Sequence, residues 1–66
     1  MKCIINGDPF TFDTEVTIQD ILDHLELDKK RVIAEHNQNL IQREDFANQI
    51  VREDDCLELL EFVGGG

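Results

Sequence analysis

The apolar positions along this chain follow a period of two, switch once to the period of a helix, and then return to two. Lys2 to Asn6 (KCIIN) is a short β-rich run, and Phe10 to Phe12 (FTF) alternates as a half-buried strand does. Asn6-Gly7 between them is a turn signal, and Asp8-Pro9 reinforces it. The opening therefore predicts a β-hairpin. The next segment, VTIQDILDHLEL, places Ile18, Ile21, Leu22 and Leu25 at i, i+3, i+4 and i+7, which is one helix face. Thr17 is a good N-cap, Asp20 three residues on makes an acidic capping box, and Val16 and Ile21 suit a hydrophobic staple. The helix should end near Leu25 to Asp28. Asp28 to Arg31 reads as a solvated connection.

After that connection, Val32 to His36 (VIAEH) predicts a third strand, Asn37-Gln38-Asn39 a turn, and Leu40-Ile41 a very short strand. Arg43 to Asn48 suits one helical turn with Phe46 pointing inward. Ile50 and Val51 return to the core, Arg52 to Asp55 form a charged turn, and Cys56 to Val63 (CLELLEFV) is the last and most apolar strand. A hairpin, a helix and further strands fit an α+β sheet with one helix packed on one face. This is the element order of the β-grasp, or ubiquitin-like, fold, with a mixed four- to five-stranded sheet. Residues 1–63 would form the domain and residues 64–66 a flexible glycine tail.

Strand alternation divides the residues between two faces. Cys3 and Ile5 share one side of the first strand, with Ile4 on the other. In the last strand Leu57 and Leu59 share a face, while Cys56, Glu58, Leu60 and Phe62 share the opposite one. If Leu57 and Leu59 pack on the helix, Leu60 and Phe62 face solvent, with Ile4 near them. Apolar residues on an uncovered sheet face suggest a protein-binding patch. By the same parity Cys3 is a core residue and Cys56 a surface thiol, so the two do not form a disulfide.

Charge narrows the class of partner. The 66 residues hold 15 acidic and 6 basic side chains, a net charge of −9, which argues against nucleic acid and against an anionic membrane surface. It fits electrostatic docking on a basic partner, and equally fits simple solubility. The start has no apolar leader and no run approaches the length of a membrane helix, so the cytoplasm is the expected location.

The familiar catalytic constellations are missing. There is no CxxC, no metal-ligand spacing, no serine, and no glycine-rich loop opening a helix. His24 and His36 read as plain surface histidines. The sequence therefore points to neither a catalytic site of its own nor a bound cofactor or metal. What remains is the end, EFVGGG. A C-terminal carboxylate is unreactive until activated, for example as an acyl adenylate. Glycines without Cβ can thread a narrow channel, and three residues reach roughly 10 Å.

These features together resemble the ThiS sulfur carrier family of thiamine biosynthesis. The matching residues are I-I-N-G (Ile4 to Gly7), T-I-Q-D-I-L (Thr17 to Leu22), V-I-A-E-H-N (Val32 to Asn37) with Leu40-Ile41, and the terminal F-V-G-G-G (Phe62 to Gly66). The resemblance covers the whole chain. It implies that an E1-like, ATP-using adenylyltransferase of the ThiF type activates Gly66. Sulfur drawn from cysteine by a desulfurase would make a thiocarboxylate, and a thiazole synthase of the ThiG type would take that sulfur. Gly64 and Gly65 would thread the partner's active site, and Ile4, Leu60, Phe62 and Val63 would dock. One alternative is a carrier for another product, like the small subunit of molybdopterin synthase. Another is a β-grasp interaction module with an inert tail.

Overall fold

A computed structural model describes residues 1–63. It contains seven strands and one α-helix: β1 (Lys2–Ile5), β2 (Asp8–Thr11), β3 (Val16–Thr17), α1 (Ile18–His24), β4 (Val32–His36), β5 (Asn39–Ile41), β6 (Ile50–Val51) and β7 (Cys56–Glu61). Five strands form one sheet in the order β2-β1-β7-β4-β5, and β3 pairs with β6 apart from it. β1 and β7 run parallel at the centre, and the other pairings are antiparallel. The expected mixed sheet under one helix is thus present, with its last strand in the middle.

Local chemistry sets the hairpins and the helix. Asn6 and Gly7 have φ of 51° and 86°, and Asn37 and Gln38 have 50° and 72°. Two consecutive left-handed residues match the twist of antiparallel strands in a two-residue hairpin. Helix α1 starts on the capping box read from the sequence: Asp20 N–H donates to Thr17 Oγ1 at 3.1 Å, and Thr17 N–H donates to Asp20 Oδ2 at 3.0 Å. It ends without glycine. Glu26 takes φ 60°, Leu27 N–H donates to Leu22 C=O at 2.8 Å, and Glu26 N–H donates to Asp23 C=O at 3.2 Å. That pair of bonds is the Schellman closure.

The core lies between α1 and one face of the sheet. Ile18, Ile21 and Leu22 from the helix meet Cys3, Ile5, Val32, Ala34, Leu57 and Leu59 from the strands. Phe46 seals one side, carried by the short 3-10 turn Arg43–Asp45. At about 25 cal/mol per Å² of apolar area, each large buried side chain contributes about 1.5–3 kcal/mol.

Two expectations need correction. Ile50 does not join the core: in β6 it pairs with Thr17 and is 38% exposed, while Val51 beside it is fully buried. A two-residue strand buries one side chain and must show the other. The last strand stops at Glu61, so Phe62 and Val63 follow it rather than complete it. Asp28–Arg31 is an exposed connection, as expected, and its shape comes from a cap: Asp28 accepts from Lys30 N–H at 2.9 Å at the start of the 3-10 turn Lys29–Arg31.

Candidate functional site

The uncovered face of the sheet is built from the residues that alternate with the core. Antiparallel register places Leu60 directly across from Ile33, and Glu58 across from Glu35, which in turn faces Leu40 on β5. Leu60 is 63% exposed, Ile33 45% and Leu40 60%. A groove of about 290 Å³ is lined by Asn6, Ile33, Glu35, Glu58, Leu59 and Leu60. A second, of about 310 Å³, extends past Ile33 and Leu40 to Arg43. The face is therefore an apolar strip with two carboxylates in its middle. Like charges directly opposite on a sheet are destabilising, so folding alone does not account for Glu35 facing Glu58.

Phe62 and Val63 are exposed at the end of this strip, and Phe62 N–H still donates to Arg31 C=O at 2.8 Å. Leu60 and Phe62 are exposed, as strand parity suggested, and so is Val63 after them. Ile4 does not stand with them. It pairs with Cys56, four residues before Leu60, which is about 13 Å along a strand. Parallel register with β1 fixes that offset, and residue alternation alone does not reveal it. The neighbour of Leu60 is Ile33, which sequence reasoning missed. Its signal was present: in VIAEH, Val32, Ala34 and His36 turn inward, which leaves Ile33 and Glu35 outward. The roles expected for Gly64, Gly65 and Gly66 lie outside the described residues.

A further correction concerns His36. It is 7% exposed, not a surface residue. Its Nδ1 accepts from Gln49 Nε2 at 2.9 Å, so its Nε2–H donates to Asp55 Oδ2 at 2.7 Å. Asp55 also accepts from Arg52 N–H at 2.8 Å and Asn37 Nδ2 at 3.1 Å. Burial pushes the Asp55 carboxyl up, but the bonds from Arg52, His36 and Asn37 together outweigh it and hold the group below the usual aspartate value. This network ties the β4–β5 hairpin to the turn before β7. His36 is structural cement for the strand that carries the site.

The two thiols stand as parity predicted. Cys3 is buried, Cys56 is exposed, and neither is in a disulfide. Burial pushes the Cys3 thiol up, with the Asp55 and Glu53 charges adding to it. No helix among the described residues is long and apolar enough to cross a membrane.

A central strand laid parallel to the first, one helix beneath, and an exposed apolar face on the other side define a ubiquitin-like β-grasp protein. The comparisons narrow this. The ThiS family model matches residues 3–66. The sulfur carrier protein ThiS of Bacillus subtilis is 40% identical over 50 residues, 76% of each chain. The crystal structure of the thiamine biosynthesis protein ThiS of Geobacter metallireducens superposes with a TM-score of 0.83 at 32% identity, over the whole of both chains. The chain belongs to the ThiS family, the sulfur carriers of thiamine biosynthesis. Thiazole synthases of Paramagnetospirillum magneticum and Magnetococcus marinus match all 66 residues at 33% and 30% identity, and the chain spans 20% of the length of each.

Proposed function

We propose that this chain carries sulfur as a thiocarboxylate on Gly66 and delivers it for thiazole formation. An E1-like adenylyltransferase of the ThiF type joins the Gly66 carboxylate to AMP, with release of pyrophosphate from ATP. A persulfide sulfur supplied by a cysteine desulfurase attacks the activated carbonyl and expels AMP. Reduction of the resulting acyl disulfide by a thiol leaves the thiocarboxylate. A thiazole synthase of the ThiG type accepts the sulfur. The chain contributes the acyl group, the arm of Gly64 and Gly65, and a docking face; ATP belongs to the activating partner.

The observation that carries this reading is the family match through Gly66, joined to an exposed apolar strip that leads to that end. Two thiazole synthases that contain a matching segment favour the thiazole branch. Leu60, Ile33 and Phe62 form the apolar centre of the docking face. Glu35 and Glu58 call for a basic rim on the partner, where opposite charge speeds encounter and fixes register. Incubation with ATP, the adenylyltransferase and a sulfur source should add the mass of an oxygen-to-sulfur exchange at the C-terminus. An unchanged intact mass with a competent partner present would defeat the carrier reading. A residue appended after Gly66 should abolish the gain and leave the circular dichroism spectrum unchanged.

A further inference from the structure

Strand β1 ends at Ile5, while β7 continues to Glu61. The chain turns away at Asn6-Gly7, so the last backbone bond on that flank runs from Asn6 N–H to Leu57 C=O at 2.9 Å. Leu59 turns its peptide groups to the same side, two residues further on, where no strand remains. Both of its groups are nevertheless bonded. Its N–H donates to Asn6 Oδ1 at 2.7 Å, and its C=O accepts from Asn6 Nδ2 at 3.1 Å. One carboxamide takes the place of one peptide unit, and only one orientation of that amide satisfies both bonds. Beyond Leu59, the strand is held from the β4 side: Ile33 pairs with Leu60, Val32 with Glu61, and Phe62 N–H reaches Arg31.

The residue type is constrained twice. The hairpin needs a left-handed residue at position 6, with φ 51°, and asparagine tolerates this better than most residues. Glycine would serve the turn at least as well, but it has no amide to offer. Asn6 also lines the groove between Leu60 and Glu58.

We propose that Asn6 is a positioning residue for sulfur transfer. Its carboxamide clamps Leu59, the last residue of β7 gripped from both flanks, and so sets the direction in which Leu60, Phe62 and the following arm leave the sheet. The functional half of this inference rests on the carrier reading above. Without the clamp, the last two-sided hold retreats to Leu57. The segment from Glu58 onward then pivots on the β4 ladder alone, and a smaller fraction of free carrier molecules holds Leu60, Phe62 and the following residues in the direction the partner accepts, which weakens the apparent affinity without changing turnover once docked.

The test uses the full chain with two substitutions. Asn6→Gly keeps the left-handed turn and removes the carboxamide. Asn6→Asp keeps an acceptor for Leu59 N–H but sets a carboxylate oxygen against Leu59 C=O. Amide exchange followed by NMR is compared with loading by the E1-like adenylyltransferase in ATP and sulfide, measured against carrier concentration. In Asn6→Gly, Leu59 N–H should exchange roughly three- to tenfold faster, the worth of one ordinary hydrogen bond. Ile4 and Leu25, whose amides are bonded elsewhere, should not change. KM for the carrier should rise several-fold with little change in kcat, and Asn6→Asp should fall between Asn6→Gly and the native chain. Equal acceleration at Leu59, Ile4 and Leu25 overturns the proposal by making Asn6 a general stabiliser. Faster Leu59 exchange with an unchanged KM overturns the positioning role. A native chain that is never loaded counts against the carrier reading itself, while the exchange data still decide whether the clamp exists.

Discussion

The two faces of the central sheet are made by the same strands and obey opposite rules. On the helix side, Cys3, Ile5, Val32, Ala34, Leu57 and Leu59 are buried. On the open side, one residue over in each strand, stand Ile33, Glu35, Glu58 and Leu60. The covered face is apolar except for the hydrogen-bonded ring of His36 at its edge, and it excludes water. The open face mixes leucine and isoleucine with two facing carboxylates, which neither a core nor an ordinary solvated surface would select. A protein of 66 residues has few positions to spare. Here one side of the sheet serves folding, and the other, on the carrier reading proposed above, is the side that meets a second molecule.

The sharpest way to break this contrast is to truncate equivalent leucines on the two sides. Leu57→Ala should cost about 2–5 kcal/mol, because a buried side chain is lost and a cavity is left. Leu60→Ala should change stability by less than about 0.5 kcal/mol. Urea unfolding measures both. Loading assays should show the reverse order for folded protein, with KM raised for Leu60→Ala. Equal stability losses would mean that the open face is part of the core.

A smaller effect is expected from Asp55, which supports the covered side from its edge. The unfolded chain titrates near the ordinary aspartate value of about 3.9. The folded value lies below that, so Asp55 stabilises the fold above about pH 4, and the contribution is lost as pH falls through the folded value. The urea midpoint should therefore drop less steeply on acidification in Asp55→Asn than in the native chain. Parallel pH curves would show that the network does not depend on the charge.

The smallest change in stability, and the most telling in sign, belongs to Glu58. Replacing it by Gln relieves the repulsion with Glu35 and should stabilise the fold by a few tenths of a kcal/mol. The same change should slow association with the activating enzyme, and the difference between variant and native chain should shrink in high salt. A gain in stability with no loss in association rate would remove the electrostatic role of this pair. Alkylation gives a simple check on the faces: Cys56 should react in the native state, and buried Cys3 only on unfolding.

Much of this division was legible from periodicity. Alternation in CLELLE separates Leu57 and Leu59 from Leu60, and the 3.6 period with Thr17 and Asp20 locates the helix. Both depend on residues near in sequence. The features that escaped depend on distant ones. His36 becomes a core residue only when Gln49 and Asp55, 13 and 19 residues away, arrive to bond its ring. Ile33 becomes the neighbour of Leu60, and Ile4 does not, through strand register alone. The β3–β6 pair has two residues on each side, too few to show any period.

The parallel alignment of β1 and β7 also has a mechanical consequence. A partner that draws the chain end into a channel pulls β7 along its own axis. Force in that direction loads the β4 ladder, the β1 bonds and the Asn6 amide in shear, all at once, rather than opening them one after another. The domain should therefore resist traction on its C-terminus better than a hairpin of equal size, whose end strand would unzip. If partners hold the chain by its end, as the proposed function requires, this geometry supplies a handle that does not unravel the body.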